Sequence, residues 1–184
     1  MPNLCENHTH ILGPKEDIER LFAVLDIPNA EQPLINLYPM PLMDADNARE
    51  WRVSNWGTKW GDYDYFSDDI EIEDYEDGTA GVSLSYHTAW SPFDVTYWTK
   101  VSTDWPTLWF TTSYSEPGCC FVGAFSARDG VVENYETTDL PEWSGEPDDY
   151  PEWLDAVDQL RNECADVVDE LIHRNTVDKI IEDV

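Results

Sequence analysis

Between Thr79 and Ala127 the chain carries three acids (Asp94, Asp104, Glu116) and one base (Lys100), in a protein that holds 39 Asp and Glu against 10 Lys and Arg. A segment so poor in charge must supply the interior, and its patterning says how. "AGVSLSYHTAW" (Ala80 to Trp90) alternates at the period of a strand. "SPFDVTYWTKVSTDWP" spaces Phe93, Tyr97, Trp98 and Val101 as one helical face, with Ser91 as the expected N-cap, Pro92 at the first helical position and Pro106 as the stop. "TLWFTTSYS", "CCFVGAFSA" and "VVENYETT" read as three further strands, separated by the turn residues Glu116-Pro117-Gly118 and Asp129-Gly130.

The N-terminal part repeats this logic. "LCENHTHIL" (Leu4 to Leu12) alternates and ends at Gly13-Pro14, and "KEDIERLFAVLDI" sets Ile18, Leu21, Phe22 and Leu25 at helical spacing before Pro28. "PLINLYPMP" predicts a short second strand, stopped by Pro39 and Pro41. Residues 44–78 interrupt the pattern with a short helical turn, a tryptophan segment and an acidic stretch. The order β-α-β, insertion, β-α-β-β-β predicts an α+β split βαβ sandwich, helices on one face of an antiparallel sheet with extra edge strands. It occupies residues 1–142 as one domain with the insertion at 44–78. Residues 143–184 follow as a Pro-rich acidic linker and an amphipathic helix striped by Leu154, Val157, Leu160, Cys164, Val167, Val168 and Leu171.

Charge sets the choice of partners. The net charge is −29 and there are four lysines, so direct contact with a phosphate backbone or an anionic membrane surface is repelled. The 24 Phe, Trp and Tyr nevertheless provide enough apolar surface for folding, which separates this chain from disordered acidic sequences. The four cysteines show no CxxC spacing, and no basic-plus-apolar leader precedes them; they read as reduced thiols in the cytoplasm of a host cell. No apolar run approaches the ~20 residues that a membrane span needs.

Three stretches carry a likeness to a family. "MPNLCENHTHILGP", "YPMP" with "WRVSNWGTKWG", and "TAWSPF" with "YSEPGCCFVG" resemble the YubB ferredoxin-like proteins of phages and plasmids over roughly residues 1 to 127, Asn55-Trp56-Gly57-Thr58-Lys59-Trp60 being the most specific match. Leu4 stands where that family usually has tryptophan, and Gly61 where an acid or small residue usually follows the motif. The resemblance implies a ferredoxin-like fold and a mobile-element origin, and it carries no catalytic residue across.

Four constellations are candidates for function. Trp51, Trp56 and Trp60 form an aromatic loop with Lys59 as its cation; the functional reading is a ligand platform, and the structural one, favoured here, is a staple holding the insertion to the core. Between Gly61 and Gly78 lie nine acids and no base (Asp62, Asp64, Asp68, Asp69, Glu71, Glu73, Asp74, Glu76, Asp77), and from Trp143 onward thirteen acids and three bases, among them Asp155, Asp158, Asp166, Asp169 and Glu170. Cys5, His8 and His10 have the look of a zinc grouping, but strand alternation sends Cys5 to one face and both histidines to the other, so even with His87 no metal is expected. Asp62, Asp64, Asp68 and Asp69 lack the glycine and terminal glutamate of a calcium loop. Cys119 and Cys120 have no identifiable base, His173 suits the C-terminal dipole of its helix, and no phosphate-binding or nucleophile-elbow motif is present.

These readings predict a non-enzymatic accessory protein without a cofactor. Its clustered carboxylates would bind a basic host protein, possibly a nuclease or nucleic-acid-binding complex of a defence system, by imitating DNA phosphates. The alternative is an acidic domain adapted to high salt, which the excess of Asp over Glu (22 to 17) also suits.

Overall fold

The computed structural model describes residues 3–25, 32–65, 70–75, 77–118, 121–139, 145–146, 151–160, 162–163, 166 and 170. β1 (Leu4–Pro14) is the central strand, because its alternating apolar side is covered and both of its edges are paired. α1 (Lys15–Leu25) follows directly and buries Ile18, Leu21 and Leu25. A 3-10 turn (Leu34–Asn36) and α2 (Ala45–Trp56) lead to the short strand β2 (Ile72–Asp74) and to β3 (Thr79–Ala89). Then come α3 (Val95–Asp104), β4 (Trp109–Glu116), β5 (Phe121–Arg128) and β6 (Val131–Asp139), and a helix we call α4 covers 151–160.

The sheet runs β2-β3-β1-β4-β5-β6 with every neighbouring pair antiparallel. β2 is therefore parallel to β1 with β3 between them, and β3 is parallel to β4 with β1 between them. Two βαβ units are thus split and interleaved, each receiving the other's strand. β5 and β6 extend the sheet beyond β4 through a hairpin at Asp129 (φ 46°) and Gly130 (φ 76°), the paired left-handed conformation that matches strand twist and that a Gly at the second position permits.

One face of the sheet is packed under α1 and α3. Phe93 stacks on Tyr97 with ring centres 4.1 Å apart, Trp98 meets both edge-on, and Trp98 reaches Phe110 and Phe125 across the sheet. All six large side chains, Tyr86 included, are fully buried, at about 1.5–3 kcal/mol each in transfer free energy. Hydroxyls on this face are satisfied internally: Thr9 Oγ1 lies 3.0 Å from Tyr86 Oη and 2.9 Å from Thr112 Oγ1.

Three elements differ from the sequence expectation. The segment at 33–41 is not a strand: three prolines cannot donate to a ladder, the backbone closes into the 3-10 turn, and the edge position is taken by Ile72–Asp74 from the acidic stretch. α2 is twelve residues long instead of a single turn, capped by Asp44 and ended by Gly57 in the left-handed region (φ 75°). α3 starts at Val95 with Asp94 as N-cap, because the Ser91 hydroxyl is spent on the carbonyl of Gly57, 2.7 Å away. Of the C-terminal helix, 151–160 is described with a few positions beyond; Cys119, Cys120, Cys164 and His173 lie outside the described residues.

Candidate functional site: an open polar face between two acidic edges

The sheet face opposite α1 and α3 is partly open over β3 and β1, where His8 and Ser83 are exposed, while Thr111 and Ser115 of β4 on the same face are buried. Register places Glu6 between His87 and Ser115, His8 between Ser85 and Ser113, and His10 between Ser83 and Thr111, so these side chains share that face. His8 Nδ1 lies 2.8 Å from Ser85 Oγ and His10 Nδ1 lies 3.0 Å from Ser83 Oγ, two identical imidazole–hydroxyl rungs. Cys5 is buried on the opposite side, as alternation requires. Among the described residues no group of three His, Cys, Asp or Glu is placed to hold a metal ion.

A hydroxyl beside an imidazole is half of an acyl-transfer site, and Glu6 Oε1, 3.7 Å from His8 Nε2, supplies a third member. β1 is paired on both sides, so its backbone N–H groups are engaged in the ladder around these rungs, whereas beyond Val82 the outer edge of β3 is bridged among the described residues at His87 alone. The rungs act as cross-strand pairs that order a water-facing surface.

At one edge of this floor stands β2. Ile72 faces Val82 and the core, while Glu73 sits opposite Gly81 on the open face, where the Tyr75 hydroxyl also reaches, 3.2 Å from Glu73 Oε2. Asp74 turns to the helix side and pairs with Lys15 at 2.7 Å, a contact that raises the Lys15 pKa. Asp77 folds its carboxylate onto the Thr79 amide and hydroxyl at the turn into β3. Glu71, Glu73, Asp74 and Asp77 are all exposed. At the other edge α4 covers β5: Val157 packs on Val122 with Trp153 and Leu160 beside them, leaving Asp155 and Asp158 to solvent, and Asp166 and Glu170 farther along are exposed too. Two edges of carboxylates thus border the open face. From β2 to β5 is four strand spacings, about 19 Å.

Two neighbouring aspartates of the acidic stretch have different fates. Asp64, with φ at 53°, is exposed and meets His87 Nδ1 at 3.2 Å. Asp62, expected at the surface with the others, is completely buried. Its carboxylate accepts from the amides of Leu34 (2.9 Å) and Ile35 (3.1 Å) and from the Tyr65 hydroxyl (2.5 Å), so it caps the 3-10 turn and ties the start of the acidic stretch to it. Burial pushes its pKa up to about 6 against the partial relief of those three hydrogen bonds. Burial likewise raises Tyr65, Tyr86 and Tyr97, whose rings surround it. No pattern in the sequence separates Asp62 from Asp64, since residues two apart share a face in any strand; the left-handed turn at Asp64 breaks that equivalence. Asp68, Asp69, Glu76 and Asp169 lie outside the described residues.

The tryptophans divide in the same way. Trp56 is buried, donates its indole N–H to the Tyr38 carbonyl at 2.9 Å and meets Trp51 edge-on at 5.4 Å; Trp51 in turn meets Tyr38. These two staple α2 to the 3-10 segment and, through Phe93, to α3. Trp60 is partly exposed against Tyr63, with Lys59 Nζ 4.9 Å above its ring, and Tyr63 forms an isolated bridge to His87 that shields the remaining edge of β3. The insertion is therefore a cover for the sheet edge, which removes an aggregation-prone strand from solvent.

No family model and no curated protein matches this chain. Among solved structures, the chain is similar to the crystal structure of a protein api92 from Yersinia pseudotuberculosis, of the DUF1281 family, at 12% identity and a TM-score of 0.42; the match covers 60% of this chain and 40% of that one.

Proposed function

We propose that this chain is a non-enzymatic binding protein that receives a basic protein partner on the open sheet face between its acidic edges. In this reading the interleaved βαβ units make the architecture ferredoxin-like with two added strands, in keeping with the resemblance to the phage and plasmid YubB proteins. The observation that carries it is the segregation of charge: Glu71, Glu73 and Asp77 are exposed at one edge and Asp155 and Asp158 on α4 at the other, with Asp166 and Glu170 exposed beyond them, while β1, β3 and β4 between them contribute Glu6 and Glu116 alone. Subtracting half the width of α4, about 5 Å, from the 19 Å between the edges leaves roughly 14 Å, room for one α-helix of 10–12 Å. DNA-binding proteins insert that same element into a major groove about 12 Å wide between rows of phosphates. The partner is accordingly a nucleic-acid-handling protein, such as a nuclease of a host defence system, and the chain competes with DNA for its basic helix.

The test is capture of a partner from host lysate at 50 and 300 mM salt, followed by elution with duplex DNA. Binding that weakens steeply with salt, is displaced by the duplex and is lost in the triple variant Glu71→Lys, Glu73→Lys, Asp77→Lys with unchanged circular dichroism supports the proposal. Binding insensitive to salt and duplex refutes it. Folding that requires molar potassium chloride, with no partner at any salt, selects haloadaptation instead.

A further inference from the structure

At the far end of the same sheet face, where β4, β5 and β6 meet, a cleft of about 360 Å3 is lined by Pro106, Trp109, Ser126, Arg128, Val131 and Glu133, with Asp129 at its rim. That volume falls at the lower end of small-molecule sites, about 300–1,000 Å3. Two groups in its walls are chemically unfinished. The Trp109 indole N–H is buried and has no acceptor among the described residues. The Arg128 guanidinium carbon lies over the Trp109 ring, 4.4 Å from its centre, and among the described residues Arg128 makes no ion pair, as is also true of Arg49, Arg52 and Lys59, whereas Lys15, Arg20 and Lys100 each pair with an aspartate. What sets Arg128 apart from those three is its place in a cleft that also holds exposed Asp129 and Glu133.

The chemistry of the walls narrows the ligand. Arg128 offers a cationic surface for stacking and N–H donors, and Glu133 and Asp129 supply acceptors in the same lining. An anion suits the guanidinium but meets those two carboxylates and a net charge of −29. A neutral planar heterocycle with both donor and acceptor atoms on its edge satisfies Arg128, Glu133 and Asp129 without adding charge, and it stacks on the guanidinium as bases do on arginine planes. We propose that this cleft binds a neutral nucleobase-like heterocycle, stacked on the face of Arg128 turned away from Trp109, with its polar edge toward Glu133 and Asp129. The ligand is either a free nucleoside or a base presented by a strand, and the charge of the chain favours the free form.

The experiment uses the full chain with 15N-labelled tryptophan, whose nine indole signals include one assigned to Trp109 by its disappearance in Trp109→Phe. Guanosine, adenosine and uridine are titrated in parallel with sodium acetate, guanosine monophosphate and a short single-stranded oligonucleotide. The expected result is a saturable shift of the Trp109 signal with at least one neutral nucleoside, with a Kd on the order of 1 mM for a ligand of this size, and weaker effects from the monophosphate and the oligonucleotide. In Arg128→Gln the affinity falls about tenfold while the other indole signals stay in place. Stronger binding of the oligonucleotide than of any nucleoside refutes the preference for the free form. A Trp109 signal that no nucleoside moves, that responds to acetate alone, or that moves equally in Arg128→Gln overturns the proposal.

Discussion

Asp62 gives the sharpest quantitative expectation. A buried carboxylate with no cation paired to it among the described residues is held at about 6, against an ordinary 3.8, so the folded chain binds its proton more tightly than the unfolded chain does. The sign follows: the stability this group confers is complete below the unfolded pKa and is lost as pH rises through the folded one. Two pH units at 1.36 kcal/mol each make the full effect about 3 kcal/mol. The sequence pI near 4.1 makes acidic solutions unsuitable. Between pH 5 and 7.5 the part of the effect that is accessible amounts to roughly 1.4 kcal/mol. Ionisation of the other 38 carboxylates also changes stability over this range, so the variant Asp62→Asn serves as the reference. Its carbonyl oxygen can accept from the Leu34 amide and the Tyr65 hydroxyl while its NH2 faces the Ile35 amide, a cost that does not vary with pH and cancels between the two pH values, and the titration is removed. Urea denaturation of both proteins at the two pH values should show wild type losing about 1.4 kcal/mol more than Asp62→Asn on going from pH 5 to 7.5. Equal losses, within about 0.5 kcal/mol, would refute the assignment of Asp62 as a buried titrating group.

Other perturbations test the packing around it. Gly57→Ala places a Cβ 2.4 Å from that of Asp94 at a φ of +75°, and should lower stability by roughly 1–3 kcal/mol in a thermal melt while sparing the β-sheet signal. Asp94→Ala removes the α3 cap that accepts from the Tyr97 amide at 3.1 Å, costing about 1 kcal/mol, whereas Ser91→Ala leaves that cap intact; a larger loss from Ser91→Ala in denaturation experiments would favour the start expected from the sequence. Val157→Asp buries a charge against Val122 and should release α4, seen as faster amide exchange at 151–160 with the core strands unchanged.

Much of the sheet was legible in the chain. The alternation in 4–12, 80–90 and the three segments after Pro106 defined five long strands, and Asp129-Gly130 announced the hairpin whose two positive φ values the structure displays. The short strand β2 was not, because three residues framed by aspartates and glutamates have no periodicity to detect, and a proline-bounded apolar run nearby was the better local match. That Trp51, Trp56 and Trp60 form an aromatic cluster was readable from the sequence, whereas the packing of Trp51 on Tyr38 and of Trp56 on Phe93 depends on segments far apart in the chain. The pairing of Arg128 with Trp109 was not, since they lie on adjacent strands whose register is a tertiary fact.

By itself the sequence determined which stretches alternate, where they turn and where charge is kept out of the core, since these depend on neighbours along the backbone. Only the tertiary structure decided which carboxylates face water: Asp62 is buried because the Leu34 amide, 28 residues earlier, arrives beside it, and Asp64 is exposed because the backbone reverses between them. Burial is a relation between distant segments, and no local pattern contains it.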